Sequence, residues 1–387
     1  MKLGVDIRCL QDKRRTGVGE YAWQVLKELS QDKSISLYGW ANAAGRIDLP
    51  AGLERLMPIY RGRLPNKLMN LKLWLKFGRP MDKVKAIKPG ALDAWWLPNP
   101  SFAHISPTRP TLLTVHDLAF RHYPEYFPYK GRLWYFPAVR SLLTRGLPKR
   151  SLVVAVSQHT AEDIAQEFPQ LKSRLRVAPP GLETRYFDTV PAEKVAAVKQ
   201  RYQLPPRYLF SLGTIEPRKN YQLLLRLYEE ILRREPDFPC DLVIAGGWGW
   251  RFKSIRQLLL RLKSRTRIHF IGYVPDDDKA ALYAQADLFL FPSLYEGIGL
   301  PPLEAMAAGT PVIASQAASL PEVLAEAAML LSPFLSETWI DNICWLIKDQ
   351  AARQELSDRG RARARQFSWV KTAAVYKDLW QELTAAI

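Results

Sequence analysis

The stretch "DLFLFPSLYEGIGLPPLEAMAAGTPVIAS", residues 287–315, reads as strand, loop, short helix and strand in succession. DLFLFP and PVIAS are compact apolar runs of the kind that form strands buried on both faces. Pro301 and Pro302 suit a first helical turn, and Gly309 suits a C-terminal cap. Between the first run and the helix lie Glu296, Gly297 and Gly299, with no positive charge; Glu304 follows in what reads as the first helical turn. Two carboxylates beside bare backbone leave two chemistries open. One is an acid–base pair for sugar hydrolysis. The other is a glycine loop whose N–H groups reach a phosphate, flanked by carboxylates that accept hydrogen bonds from hydroxyls.

The same alternation extends through the chain. Strand-like runs fall at 2–7, 36–41, 94–98, 111–116, 152–156 and 176–179, and again at 208–213, 241–246, 267–272, 287–292, 311–315 and 328–331. Amphipathic helical stretches such as "NYQLLLRLYEEILRRE" (220–235) and "DKAALYAQA" (278–286) separate them. This pattern predicts α/β architecture: two doubly wound parallel sheets with crossover helices. The segment 178–194, rich in Pro, Gly and polar residues, reads as the link between them. The expected domains are 1–180 and 181–370, with a C-terminal helix over 371–387 packing back on the first. Ligands of such sheets bind beyond the carboxyl ends of the strands, so the expected site is the cleft between two facing domains.

Unusual residues do follow the strands. After "YLFSLG" comes "TIEPRKN", where Arg218 and Lys219 precede a helix and would form an anion site. Glu304 is a candidate acceptor for two adjacent hydroxyls, as on a ribose, and Glu296 for the hydroxyls of a sugar. "RTGVGEYA" (15–22) places Gly17 and Gly19 ahead of a helix, too far from its strand for a dinucleotide fingerprint. "TVHDLAF" (114–120) ends a strand at His116. "AGGWGW" (245–250) is a further glycine loop suited to lining a cleft. Asp276, Asp277 and Asp278 precede an apolar helical pattern and read as a helix start, not as metal ligands.

The chain has 387 residues and a formal charge of +17, which points to an anionic partner. Its three cysteines, Cys9, Cys240 and Cys344, lack metal-ligand spacing and suit a reducing compartment. No apolar run is long enough to span a bilayer and no signal peptide is expected. The charge is uneven: residues 51–90 carry ten Lys or Arg against two acidic residues. Within 61–88, Lys67, Lys72, Lys76, Arg79, Lys83, Lys85 and Lys88 interleave with Leu68, Leu71, Trp74, Leu75 and Phe77. That composition suits a helix lying on an anionic membrane surface. A nucleic-acid partner would account for the charge but not for glycine loops at successive strand ends, and is not expected.

Taken in order, "GVGEYA", "VHDLAF", "VAVSQHTAEDI", "SLGTIEPRKN", "FIGYVPDDD", "EGIGLPPLEAMAAGTPVIAS", "SLPEV" and "FSW" resemble the family-4 retaining glycosyltransferases of the GT-B fold over nearly the whole chain. The resemblance implies a nucleotide-sugar donor held mainly by the C-terminal domain and a glycan or lipid-linked glycan acceptor held mainly by the N-terminal one. Arg218 and Lys219 would hold the diphosphate, Glu304 the ribose, and Glu296 the transferred sugar. The N–H groups of Gly297, Ile298, Gly299 and Leu300 would contact sugar or phosphate, and the backbone of Tyr273 and Val274 the base. His116 would approach the donor sugar, with Gly17 and Gly19 near the diphosphate. Thr214 departs from the arginine common at that position, so Arg218 would supply the charge. A GDP-mannose or GDP-deoxyhexose donor is expected, in a metal-independent hexosyltransferase of surface-polysaccharide or lipopolysaccharide synthesis. No cofactor is expected, and the enzyme is placed in the cytoplasm, peripheral on the inner face of the plasma membrane. A UDP-sugar donor is the alternative; a glycoside hydrolase using Glu296 and Glu304 is a distant one.

Overall fold

The computed structural model describes residues 1–11, 16–45, 47–83, 92–129 and 131–385. By their contacts they form two units: Met1–Leu118 with Tyr129–Gly181 and Ser368–Ile387, and Ala119–Pro128 with Leu182–Phe367. Each unit is built on a parallel sheet flanked by helices, so the chain has two Rossmann-like halves.

In the first unit the strands are β1 (Lys2–Asp6), β2 (Ser36–Asn42), β3 (Ile59–Gly62), β4 (Ala94–Leu97), β5 (Thr111–Val115), β6 (Ser151–Ala155) and β7 (Leu175–Val177). They pair in the order β3-β2-β1-β4-β5-β6-β7, every neighbour parallel. β4, β5 and β6 are buried at every residue, which is why they read as unbroken apolar runs. The helix Trp369–Ala385 lies within this unit. Its Tyr376 hydroxyl bonds Thr114 Oγ1 at 2.5 Å on β5, and its Trp380 ring stands edge-on to Trp96 of β4.

In the second unit β8 (Tyr208–Leu212), β9 (Asp241–Ala245), β10 (Ile268–Gly272), β11 (Leu288–Phe291), β12 (Val312–Ser315) and β13 (Met329–Leu331) pair in the order β10-β9-β8-β11-β12-β13, again all parallel. Strand alternation splits the core in two. Phe210, Val243, Phe289 and Val312 enter one cluster, while Leu209, Leu242, Leu288 and Ile313 enter another on the opposite face. The short segment Ala119–Pro128 belongs here because His122 stacks on Tyr295 and Phe127 on Trp250.

Twelve strands fall where the apolar runs place them; β3 is an addition. It is an edge strand, half-exposed through "IYR", so it carries no buried apolar run. Its presence corrects the expectation of one helix over 61–88. Residues 61–62 finish β3, the helix spans only Asn66–Trp74, and a 3-10 turn follows at Met81–Lys83. Lys85 and Lys88 lie outside the described residues.

Candidate functional site

Sheet order places the site. In the second sheet β8 sits between β9 and β11, so successive connections leave β8 and β11 toward opposite sides. The loops after these two strands therefore rise side by side at the switch point, where open α/β sheets take their ligands. A backbone bond from Leu294 N–H to the Arg218 carbonyl, 2.8 Å, ties them together.

Across this seam lies a compact cluster of charge. Lys219 Nζ donates to Glu296 Oε1 at 2.5 Å and sits 5.0 Å from the centre of the Phe291 ring. Arg218 Nη1 donates to Glu296 Oε2 at 3.1 Å and to the Tyr295 carbonyl at 2.6 Å. Its Nε and Nη2 reach Glu216 Oε1 at 3.2 and 3.0 Å. Ser293 Oγ donates to Glu296 Oε1 at 2.5 Å, and Ser319 Oγ to the Glu296 carbonyl at 2.9 Å. All four charged side chains are buried or nearly so.

Burial by itself would raise the Glu296 carboxyl, but Lys219 and Arg218 overcome it and hold the group down at about 2. Glu296 is thus a carboxylate at any physiological pH. Burial lowers the Lys219 pKa, and the Glu296 carboxylate opposes that shift. Glu216 is moved upward, chiefly by burial, and its Oε2 has no hydrogen-bond partner. An anionic ligand would meet two cations whose positions are already fixed by two carboxylates.

The loop that follows Glu296 turns at Gly299, whose φ of +78° is left-handed. A Cβ there would lie 2.6 Å from the Leu320 side chain. The helix Leu300–Ala307 starts directly after it. Pro301 and Pro302 have no N–H, so the donors near this helix start come from Gly297, Ile298, Gly299 and Leu300. On the other flank of β8, a Cβ on Gly246 (φ +141°) would fall 1.9 Å from the Gly213 carbonyl oxygen. Only glycine lets the loops after β8 and β9 approach this closely.

Glu304 is buried in the middle of its helix, not in the first turn, so favourable interaction with the helix start does not explain it. Its Oε2 accepts from the Tyr283 hydroxyl at 2.7 Å. This bond fixes one oxygen of a carboxylate placed one and a half turns beyond the glycine loop. If Glu304 takes the ribose of a donor, as the resemblance implies, Tyr283→Phe is expected to raise the KM for that donor about tenfold with kcat little changed, as loss of one hydrogen bond to a charged group implies. Steady-state kinetics with varied donor checks it. Tyr273 is half-exposed just past β10, and Val274 beside it is buried.

His116, Gly17 and Gly19 belong to the first unit. His116 follows β5 and its Nε2 lies 2.8 Å from the Pro98 carbonyl. A carbonyl only accepts, so Nε2 carries the proton and Nδ1 is bare. Burial lowers the ring's pKa, which keeps it neutral near pH 7. Gly17 and Gly19 open the helix Gly17–Leu29, with Thr16 Oγ1 accepting from Gly19 N–H at 3.3 Å. Asp276, Asp277 and Asp278 form the first turn of the helix Asp276–Ala284, and Asp278 is held by Lys194, Arg201 and Tyr202. Among the described residues no group of three or more His, Cys, Asp or Glu is arranged to hold a metal.

Sequence reasoning brought Arg218, Lys219, Glu296, Glu304 and their glycine loop to one end of one sheet, and the structure places them there. It missed Glu216, Ser293 and Tyr283. Glu216 carried a signal, an acid two residues before the arginine assigned to the anion site, while Tyr283 lies 21 residues from Glu304 and carried none.

Two family models match the chain: Glycosyltransferase Family 4 over residues 16–186 and Glycosyl transferases group 1 over 196–363. The chain is 31% identical over 367 residues to the O-antigen chain mannosyltransferase B of Escherichia coli, covering 92% of this chain and 93% of that protein. It is 32% identical over 226 residues to the serotype-specific mannosyltransferase WbdA of Escherichia coli, covering 57% of this chain and 27% of that longer one. Among solved structures, WaaG, a glycosyltransferase involved in lipopolysaccharide biosynthesis, aligns with TM-score 0.71 at 16% identity over 97% of this chain and 98% of that one. Sucrose-phosphate synthase from Thermosynechococcus elongatus aligns with TM-score 0.75 at 19% identity over the full length of both. These two likenesses bear on the fold, which is that of GT-B proteins.

Proposed function

The chain belongs to the glycosyltransferases, family 4 over its first half and group 1 over its second, and on that premise we propose that it moves mannose from GDP-mannose to a growing surface glycan, with retention of configuration and without a metal. The observation that carries the reading is the Lys219–Glu296–Arg218 cluster at the β8/β11 switch point. It offers fixed cations for a diphosphate and a fixed carboxylate for sugar hydroxyls within one hydrogen-bonded group. The mannosyltransferase named above, similar over nearly its whole length, supports the sugar.

In this mechanism the C1–O bond to the β-phosphate breaks and its electron pair goes to the phosphate oxygen. The acceptor oxygen bonds to C1 from the same face, and its proton passes to the departing phosphate. Lys219, assisted by Arg218 and the N–H groups of Gly297 to Leu300, stabilises the growing negative charge. Glu296 orients the sugar, Glu304 accepts from the ribose, and the backbone of Tyr273 and Val274 meets the base. His116 contacts the donor sugar, and Gly17 and Gly19 the diphosphate. A hydrolase would need one carboxyl protonated as general acid. Glu296, ionised and gripped by two cations, does not suit that task.

A deoxyhexose GDP-sugar is the next donor in order, and a UDP-sugar the one after it. HepE of Anabaena, at 18% identity, was solved with UDP-glucose. The acceptor class is a glycan or lipid-linked glycan, and the proposed setting is the cytoplasmic face of the plasma membrane. Nucleoside-diphosphate release from GDP-mannose, GDP-fucose, UDP-glucose and UDP-N-acetylglucosamine, with and without glycan acceptors, tests the reading. Acceptor-dependent GDP release from GDP-mannose, unchanged by EDTA, is expected. Release from UDP-sugars alone would overturn the donor; release from none would overturn the enzyme.

A further inference from the structure

The helix Asn66–Trp74 is apolar on two sides. Met69 and Leu73 point into the first unit and are buried. Leu68, Leu71 and Leu75, spaced i, i+3 and i+7, stand outward, and Phe77 just beyond is 74% exposed. A surface helix ordinarily presents polar residues there. A second exposed apolar element meets it from elsewhere in the chain: Leu133 and Trp134 are both more than half exposed, and the Trp134 ring lies edge-on to Trp74 at 5.8 Å. Two stretches some sixty residues apart in sequence thus present one apolar surface.

Its rim is basic. Residues 61–83 carry seven Lys or Arg and residues 131–146 three more. The single acidic residue in these spans, Asp82, is buried and turned inward to Ser106 N–H and Arg109. Lys67, Lys76, Arg79 and Arg132 are all exposed. Large apolar side chains ringed by exposed cations match an anionic bilayer: rings and leucines enter the headgroup boundary and the cations meet lipid phosphates; the neighbouring exposed anion, Glu54, is paired with Arg61. A second copy fits poorly, because a two-fold interface would set Lys67, Lys76, Arg79 and Arg132 against the same four cations.

We propose that the outer face of Asn66–Trp74, together with Leu133 and Trp134, is a two-part docking surface for an anionic phospholipid bilayer. It deepens the membrane setting given above and identifies an element, residues 131–134, outside the basic 61–88 segment. The helix also touches the sheet: Asn70 Oδ1 accepts from Arg8 Nη1 at 3.3 Å, and Arg8 pairs with Asp6 at the carboxyl end of β1. Docking therefore sets the bilayer one helix away from the strand ends of the first unit, where a lipid-held acceptor would arrive.

The full chain is co-sedimented with phosphatidylcholine vesicles and with vesicles containing 30% phosphatidylglycerol, alongside two variants. One carries Lys67→Glu, Lys76→Glu, Arg79→Glu and Arg132→Glu; the other carries Leu75→Ser, Phe77→Ser and Trp134→Ser. Wild type is expected to bind the anionic vesicles at least about tenfold more tightly than the neutral ones, less so in high salt. Each variant should lose about tenfold or more of that affinity while keeping its circular dichroism and melting temperature, since the replaced side chains are exposed. Donor turnover with a water-soluble acceptor should be unchanged, which separates this proposal from the enzymatic one. Equal recovery with both vesicles would overturn it, as would retained anionic binding in the variant that carries Leu75→Ser, Phe77→Ser and Trp134→Ser. Self-association abolished by the same substitutions, without vesicle binding, would assign the surface to a second copy instead.

Discussion

Lys219→Ala is expected to lower kcat for glycosyl transfer about a hundred- to a thousand-fold, equivalent to about 2.7–4 kcal/mol at the barrier. The reason is the timing of charge. In the proposed mechanism the diphosphate gains negative charge as the glycosidic bond breaks, and Lys219, assigned to that charge, is already held by Glu296 and the Phe291 ring. The fold should survive, because Glu296 keeps Arg218 Nη1 and Ser293 Oγ as partners. Single-turnover kinetics with saturating donor, paired with a thermal melt, reads both halves. Turnover within threefold of wild type would remove Lys219 from the diphosphate role.

Glu296→Ala is the second large effect, and it differs in kind. It strands the Lys219 side chain in a buried site and leaves Arg218 with Glu216 as its remaining carboxylate partner, so stability should fall by about 3–5 kcal/mol along with activity. Glu296→Gln keeps the shape and one acceptor oxygen, and is expected to lose less stability while still impairing transfer. The pH dependence follows from sign. Because Glu296 is held at about 2 in the folded protein against 4.5 as its ordinary value, the pair's contribution is complete above about 4.5. It is lost as pH falls through 2. The stability gap between wild type and Glu296→Gln should therefore be flat from pH 5 to 8 and narrow in acid, as followed by denaturant unfolding at each pH.

The fold was legible where burial made it so. β4, β5, β6 and β11 are buried at every position, leaving apolar runs that little else in a soluble chain produces. β3 was not legible, since an edge strand with Arg61 in it resembles the basic segment that follows. The helix over 61–88 was over-read for the same reason: Leu and Lys at helical spacing do not show where Gly62 ends a strand or where Gly78, at φ +81°, turns the chain. For the site, sequence supplied the residues but not their partners. Lys219 and Glu296 are 77 positions apart and meet only because β8 lies beside β11, an adjacency between non-consecutive strands. Nor could spacing reveal that Arg218 spends its donors on Glu216, Tyr295 and Glu296, which makes it as much a brace for the loop as a ligand.

The claim on which the rest depends is that a nucleoside diphosphate binds at this switch point. Hydrogen–deuterium exchange of the full chain, with and without saturating GDP, tests it most directly. Slowed exchange is predicted in peptides covering 213–220 and 293–304, where the phosphate, sugar and ribose contacts are assigned. Binding confirmed by calorimetry, with those peptides unchanged and protection elsewhere, would contradict it.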